Sequence, residues 1–347
     1  MTHPFELALP SGQKIGKAII DSVLKAGIDP VIVDIGARSG MFSLPGDYAS
    51  LAKFVGFEPN EAEYKKLVDE KTDSMLASGL RPRFKSKIYF NCAVWDKEEE
   101  RDFYITTGAG ACTMMGPTDP KITGRMFLEA SVGTHQESYL EQHTAVVETV
   151  KIKCDSLDAL LDDDIVDFLK IDVEGAEIRV LQGADNLFSQ KKALFIKTEF
   201  VGFSYYQEHP LLSQQHTFLT DRGYRLLRID LDHQGYSRSP SNIPSHIDNM
   251  PCFAGDAYFI LDPDRKEIDP ISLHRMAAIC LALGFRSFAV SLLRDAKIMS
   301  PQEIDGIEAV LARVPLRKKT CPRLAGVSIY GSEVAVEHRC KHLIQLA

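Results

Sequence analysis

The chain of 347 residues is long enough for about two domains, and 45% apolar with 25% charged residues is the composition of a packed globular protein, not of a disordered or collagen-like one. Its 40 basic and 48 acidic residues sum to −8, which excludes the global cationic field of a general nucleic-acid or membrane-surface binder. Every apolar run falls short of the roughly 20 residues of a membrane span, so neither nucleic acid nor membrane is expected as a partner.

Residues 1–11 lack the basic start and continuous apolar stretch of a secretory signal, and a cytoplasmic protein is expected. The seven scattered cysteines form no CxxC pair, which points to free thiols and not to disulfides or a zinc knuckle. The spacing of Ile15, Ile19, Ile20, Val23 and Leu24 predicts a helix over 13–26. A β-branched run closed by glycine follows at 30–35, then a strand at 54–57 and a helix through the 60s and 70s. Further strands are predicted at 88–94, 102–106, 146–153, 168–173, 194–200, 226–231 and 257–261, with helices at 157–161, 177–187 and 211–221. Such alternation implies crossover connections and a mostly parallel, doubly wound α/β sheet.

Charge divides the chain. Residues 263–347 hold 13 Lys/Arg against 9 Asp/Glu, whereas residues 1–262 hold 27 against 39. With the Pro-rich, charged stretch at 262–270, this places a boundary between a large acidic domain, 1–262, and a helical C-terminal extension, 263–347. Two segments of that extension, around a glycine turn at Gly284, look like a single tetratricopeptide-type hairpin. One such unit cannot bury its own apolar face, so it should pack on the large domain or on a second subunit, giving a homo-oligomer. The basic run 317–323 reads as a solvated face.

Ligands of open α/β sheets bind beyond the carboxyl ends of the strands. At the first end, Val31-Ile-Val-Asp34-Ile-Gly36-Ala37-Arg-Ser-Gly40 leads into a turn whose glycines let the backbone approach a ligand. Arg38 stands where the dinucleotide fingerprint GxGxxG needs its second glycine. A zwitterionic amino-acid tail suits this turn better than a pyrophosphate: Asp34 pairs with its ammonium while backbone N–H groups meet its carboxylate. Glu58, ending the next strand in Phe57-Glu58-Pro59-Asn60, is placed to accept the hydroxyls of a ribose. After the strand at 88–94 come Trp95 and Asp96, where an adenine could lie. The acids Asp172, Glu174 and Glu177 crowd a strand-to-helix turn; capping accounts for Glu177, whereas Asp172 should face the mouth of the sheet.

At these residues the chain resembles the FkbM-type S-adenosylmethionine-dependent methyltransferases. The resemblance is carried by VDIGARSG, FEPN, AVWD, the KCDSLDALL segment at 153–161 and, above all, FLKIDVEGAEIRVLQGA, in family order. It implies a Rossmann-like methyltransferase fold with an antiparallel last strand and S-adenosylmethionine as cosubstrate. Asp34, Gly36, Ala37 and Gly40 would form the methionine-side loop, Glu58, Pro59 and Asn60 the ribose site, and Ala93 and Asp96 the adenine side. The implied reaction is O-methylation of a hydroxyl on a sugar, glycan or small metabolite, with N-methylation left open.

In such a reaction the protein contributes most by aligning the acceptor, and a base in reach of its hydroxyl adds to the rate. Asp172 and Glu174 are the candidates, with Glu199 a third; the same three carboxylates could instead hold Mg²⁺ or another hard divalent ion. His143 and His216 are weaker base candidates. The glycine-rich insertion at 106–146 carries Thr113, which the resemblance sets against the acceptor, and Met114 and Met115, read as packing; a second loop, 233–251, with His246, reads as solvent-exposed. The competing readings are a methyltransferase-fold binding protein without turnover and a nicotinamide-dependent dehydrogenase.

Overall fold

The computed structural model describes Ile20, Leu24 and residues 28–312, apart from 42–43, 45, 129–137, 162–164, 207–208, 232–235, 240 and 244–251. Most of the helix expected at 13–26, His246 and the basic run 317–323 lie outside the described residues; Ile20 and Leu24 are helical and buried in the main core.

Seven strands make one sheet: β1 (Val31–Ile35), β2 (Lys53–Phe57), β3 (Ser86–Phe90), β4 (Phe168–Ile171), β5 (Phe195–Val201), β6 (Tyr224–Leu231) and β7 (Ala254–Leu261). Their order is β3-β2-β1-β4-β5-β7-β6. The first five strands run parallel, and β7 is antiparallel to both β5 and β6. This is the doubly wound, Rossmann-like sheet with an antiparallel last strand that the resemblance implies. Strand order reverses between β1 and β4, the switch point where ligands enter such sheets. Every residue of β1 is buried, as expected for a central parallel strand covered on both faces, whereas edge strand β3 is largely exposed.

Three runs read as single elements are divided. The strand expected at 88–94 ends at Phe90, and Ala93–Trp95 joins a separate three-stranded sheet with Glu99–Thr106 and Val146–Ser156. The break is held by Asn91, whose side-chain amide donates to the carbonyls of Glu58 and Pro59. The helix through the 60s and 70s is two, α1 (Glu61–Val68) and α2 (Asp73–Ser78), each with its own side-chain N-cap, Asn60 and Thr72. The helix expected at 177–187 is also two, α3 (Glu177–Gln182) and α4 (Asp185–Ser189). They part at Gly183, where a Cβ would meet the Trp95 carbonyl at 2.1 Å, so close packing on the second sheet requires glycine there.

After α5 (Leu212–Asp221) and the last two strands come α6 (Pro270–Ala282), α7 (Arg286–Ala296) and α8 (Pro301–Ala312). Asp269 caps α6 by accepting from Ser272 N, and Pro270 fits its first turn. Residues 272–282 are all buried, and the three helices share one hydrophobic core with the sheet. The apolar face that a lone hairpin would expose is therefore covered within the chain. No helix among the described residues is long and apolar enough to cross a membrane.

Arg275 of α6 ties these helices to the amino ends of the strands. Its guanidinium donates to both oxygens of Asp167, at 2.9 and 2.6 Å, and to the Ile165 carbonyl. Val31 N donates to the same carboxylate at 2.6 Å. Asp167 has no exposed surface; burial pushes its carboxyl up to about 6, against the pull of Arg275. Breaking a buried pair leaves an uncompensated charge, which costs about 3–5 kcal/mol. Arg275→Ala is thus expected to lower unfolding stability by that amount in denaturant titration. The joint replacement Asp167→Asn with Arg275→Met should recover most of the loss, and equal losses in the two proteins would contradict this account.

Candidate functional site

Strand register sets the site. Asp34 of β1 lies opposite Lys170 of β4, and Lys170 opposite Lys197 of β5. Side chains two residues apart share a face of a strand, so the next positions toward the carboxyl ends bring Gly36, Asp172 and Glu199 side by side. Glu58 falls in the same row beyond β2, since Asp34 pairs with Gly56, and Asp256 of β7 pairs with Glu199. A row containing two lysines thus underlies a row of four acids. Lys170 Nζ stands 2.9 Å from Asp34 Oδ1, 3.2 Å from Asp172 Oδ2 and 3.4 Å from the Gly36 carbonyl; Lys197 Nζ stands 2.9 Å from Asp256 Oδ1.

Burial pushes the Asp34 carboxyl up and Lys170 opposes it; its second oxygen, Oδ2, is buried with no hydrogen-bond partner. Gly36, at φ +82°, is required twice: for that conformation, and because a Cβ would lie 1.9 Å from the Asp172 carbonyl oxygen. Three amides of the turn are taken within the protein. Gly36 N and Ala37 N both donate to the Phe57 carbonyl, and Gly40 N to that of Ala37.

Glu58 is buried and accepts from Asn60 N at 2.8 Å; burial pushes its carboxyl up to about 7. Asn60 is occupied as the cap of α1, accepting from Ala62 N and Glu63 N. Because β3 stops at Phe90, the residues at its carboxyl end are Asn91 and Cys92, in place of Trp95 and Asp96. Ala93 and Asp96 belong to the second sheet and its exit, where Asp96 pairs with Arg179 of α3 at 3.3 Å.

Beyond β4, Glu174 has φ +54°, an uncommon conformation for a residue with a side chain. It is held from two sides: Thr113 Oγ1 donates to its carbonyl at 2.7 Å, and the Tyr206 hydroxyl lies 3.4 Å from Oε2. Thr113 is 2% exposed, so it anchors Glu174 instead of meeting an acceptor as the resemblance suggested. Glu177 folds back to accept from Val173 N and Gly175 N, and so braces the turn preceding its own helix. Met114 and Met115 pack in the second hydrophobic cluster, as expected. His143 and His216 contribute backbone carbonyls, to Gly108 N and the Thr220 hydroxyl. The histidine beside the turn is His209, 3.1 Å from where a Gly175 Cβ would stand and held down at about 4 by burial.

Asp172, Glu174 and Glu199 do converge, with one carboxylate oxygen of each within 4.8 Å of the others, a spacing that one hard cation could bridge. Burial raises the Asp172 carboxyl, but Lys170 and Lys197 more than offset it and leave it below the ordinary range. Burial and the charge of Asp172 drive Glu174 and Glu199 well above that range. The three acids are therefore unequal. Asp172 is the ionised member, and Glu199 is hydrogen-bonded to it. Sequence reasoning missed Lys170, Lys197, Asp256 and Tyr206; the repeated Lys-x-acid spacing, Lys170-Ile-Asp172 and Lys197-Thr-Glu199, is the signal that could have found the two lysines.

Met114 and Met115 also line an open cavity of about 450 Å³, together with Trp95, Arg101, Tyr104, Lys151 and Arg179 and the acids Glu100 and Asp102. Arg101 lies 4.0 Å from the centre of the Trp95 ring.

A 3-2-1-4-5-7-6 sheet with a glycine turn and acids at its switch point is the architecture of class I methyltransferases. The model of the methyltransferase FkbM domain matches residues 34–226, more than half of the chain, and the chain belongs to that family. Among solved structures, the chain is similar to a methyltransferase FkbM from Methylobacillus flagellatus KT, with 17% identity and a TM-score of 0.35 over 67% of this chain and 43% of that one. It is also similar to the magnesium protoporphyrin IX methyltransferase ChlM of Synechocystis PCC 6803, solved with bound SAM (12% identity, TM-score 0.31, 70% and 78% coverage). A third is the precorrin-6y C5,15-methyltransferase of Geobacter metallireducens GS-15 (12%, 0.30, 70% and 87%). The chain thus spans less than half the length of the first of these. No curated protein matches it.

Glu58 gives a direct test of site electrostatics. Its folded value near 7 lies above the unfolded 4.5, so its contribution to stability is fully present below 4.5 and is lost as pH rises through 7. Glu58→Gln is expected to raise unfolding stability by about 3 kcal/mol at pH 8, with the gain vanishing by pH 4.5. A gain independent of pH would contradict the buried-carboxylate account.

Proposed function

We propose that this protein is an S-adenosylmethionine-dependent methyltransferase that transfers the methyl group to a hydroxyl of a sugar, glycan or small metabolite. The observation that carries this reading is the single row of acids at the switch point, which sets Glu58 and the Asp34–Gly36 turn beside Asp172 and Glu199. Asp34 suits the ammonium of the donor's amino-acid tail, because its buried Oδ2 has no partner. Glu58 suits the ribose hydroxyls, with Pro59 and Asn60 shaping that loop, and Ala37 and Gly40 continue the methionine-side turn. The side of β3 bearing Asn91, with Ala93 and Asp96 beyond it, faces the adenine in this reading. S-adenosylmethionine supplies an activated methyl group and its own leaving group.

The protein's task is then to align the acceptor and take its proton. Asp172, held ionised by Lys170 and Lys197, is the group able to accept that proton, and Glu199 shares the charge through its hydrogen bond. Glu174, whose carboxylate converges with theirs, orients the acceptor. In this reading the helices after residue 263 stabilise the catalytic unit without entering the chemistry.

Calorimetric titration with S-adenosylhomocysteine tests the donor site. Micromolar binding is expected, weakened by about 2 kcal/mol or more, roughly thirtyfold, in Glu58→Ala. No binding to folded wild-type protein would sink the assignment. With an acceptor in hand, Asp172→Asn should lower kcat by about 10²–10⁴-fold while leaving S-adenosylhomocysteine affinity within a few fold. Assays with and without Mg²⁺ separate a carboxylate base from an ion bridging the three acids.

A further inference from the structure

Lys170, its side chain 13% exposed, touches three parts of the site at once: Asp34, Asp172 and the carbonyl of Gly36. A buried lysine is expensive to desolvate, yet this one sits within hydrogen-bond distance of the single residue best placed to receive the amino group of the donor. It uses only Oδ1 of Asp34 and leaves Oδ2 without a partner. We propose that Lys170 is the positioning residue of the donor site: shared between Asp34 and Asp172, its ammonium makes the buried Asp34 carboxylate available to the ammonium of a methionine-type tail and fixes it relative to the acceptor-side acid. This rests on the methyltransferase reading above and adds to it a residue that need not touch the donor.

The charges around the pair decide the outcome. Asp34 faces Lys170 and Asp172 from β4 and its exit, Lys197 from β5, Glu58 from β2 and Tyr89 from β3. Lys170 also feels Asp172, and Asp256 of β7 lies within its reach. Lys197 is already paired with Asp256, so Lys170 is the cation in contact with Asp34. Without it, burial and the neighbouring acids leave Asp34 to take up a proton, and a neutral carboxyl cannot form an ion pair with an ammonium.

The test is calorimetry of S-adenosylhomocysteine binding to full-length wild type, Lys170→Met and Lys170→Arg between pH 6 and 9, with melting curves to confirm folding. Expressed relative to wild type, so that the titrations of Glu58 and of the ligand amine cancel, Lys170→Met should bind at least tenfold more weakly at pH 7. That deficit should shrink as pH rises, and Lys170→Arg should bind nearly as wild type. A deficit that does not change with pH, or no deficit, overturns the proposal, because a purely structural lysine would not alter the pH profile. Should Lys170→Met fail to fold, Lys170→Gln, which keeps a donor without the charge, is expected to show the same pH-dependent deficit. Failure of wild type to bind overturns the donor site itself, an outcome distinct from failure of the lysine's role.

Discussion

Two lysines on neighbouring parallel strands allow this sheet to end in acids. Lys170 and Lys197 stand side by side in register, and one step farther along the same face come Asp172 and Glu199, flanked by Glu58 and Asp256. A row of carboxylates at the mouth of an apolar sheet would otherwise have to be protonated or dispersed, since buried like charges cannot all ionise. The cations divide the row. Asp172 is held below its ordinary range, while Glu58, Glu174 and Glu199 are pushed above theirs. Neighbouring groups of one chemical type thus acquire different protonation behaviour, the condition for distinct roles in one site.

Around that row the loops act as braces. Glu174, in a conformation uncommon for a residue with a side chain, is held by Thr113 from the insertion and Tyr206 from the connection after β5. Gly110 packs against the Arg38 guanidinium, so the insertion also reaches the donor turn. Segments far apart in sequence therefore converge on the one turn whose geometry matters most. At the opposite end of the strands, Arg275 performs a comparable service for the fold, since its pairing with Asp167 joins the C-terminal helices to the sheet.

Periodicity made the sheet legible before the structure. The runs that became β1, β2, β4 and β5 are short, apolar and closed by glycine or an acid, and their alternation with helical segments requires crossovers. The elements that were misjudged share a cause. Residues 88–94, the 60s and 70s, and 177–187 are each apolar enough to continue, but the bond that Asn91 donates to the Glu58 carbonyl, the cap in which Thr72 accepts from Met75 N, and the close approach at Gly183 divide them. The partners of Asn91 and Gly183 lie far off in sequence, whereas the Thr72 cap is local and was legible there.

Sequence by itself determined the order and type of the main strands, the glycine turn after Asp34, and the identity of the acids Glu58, Asp172, Glu174 and Glu199, because each lies where a strand pattern stops. Only the tertiary structure decided how those acids differ. Lys170 of its own strand and Lys197 of the neighbouring one hold down Asp172, whereas burial raises the other three, and both strand register and burial are fixed by packing, not by local pattern. The same holds for Thr113, which the family resemblance sets against an acceptor and whose place in the fold makes it a brace.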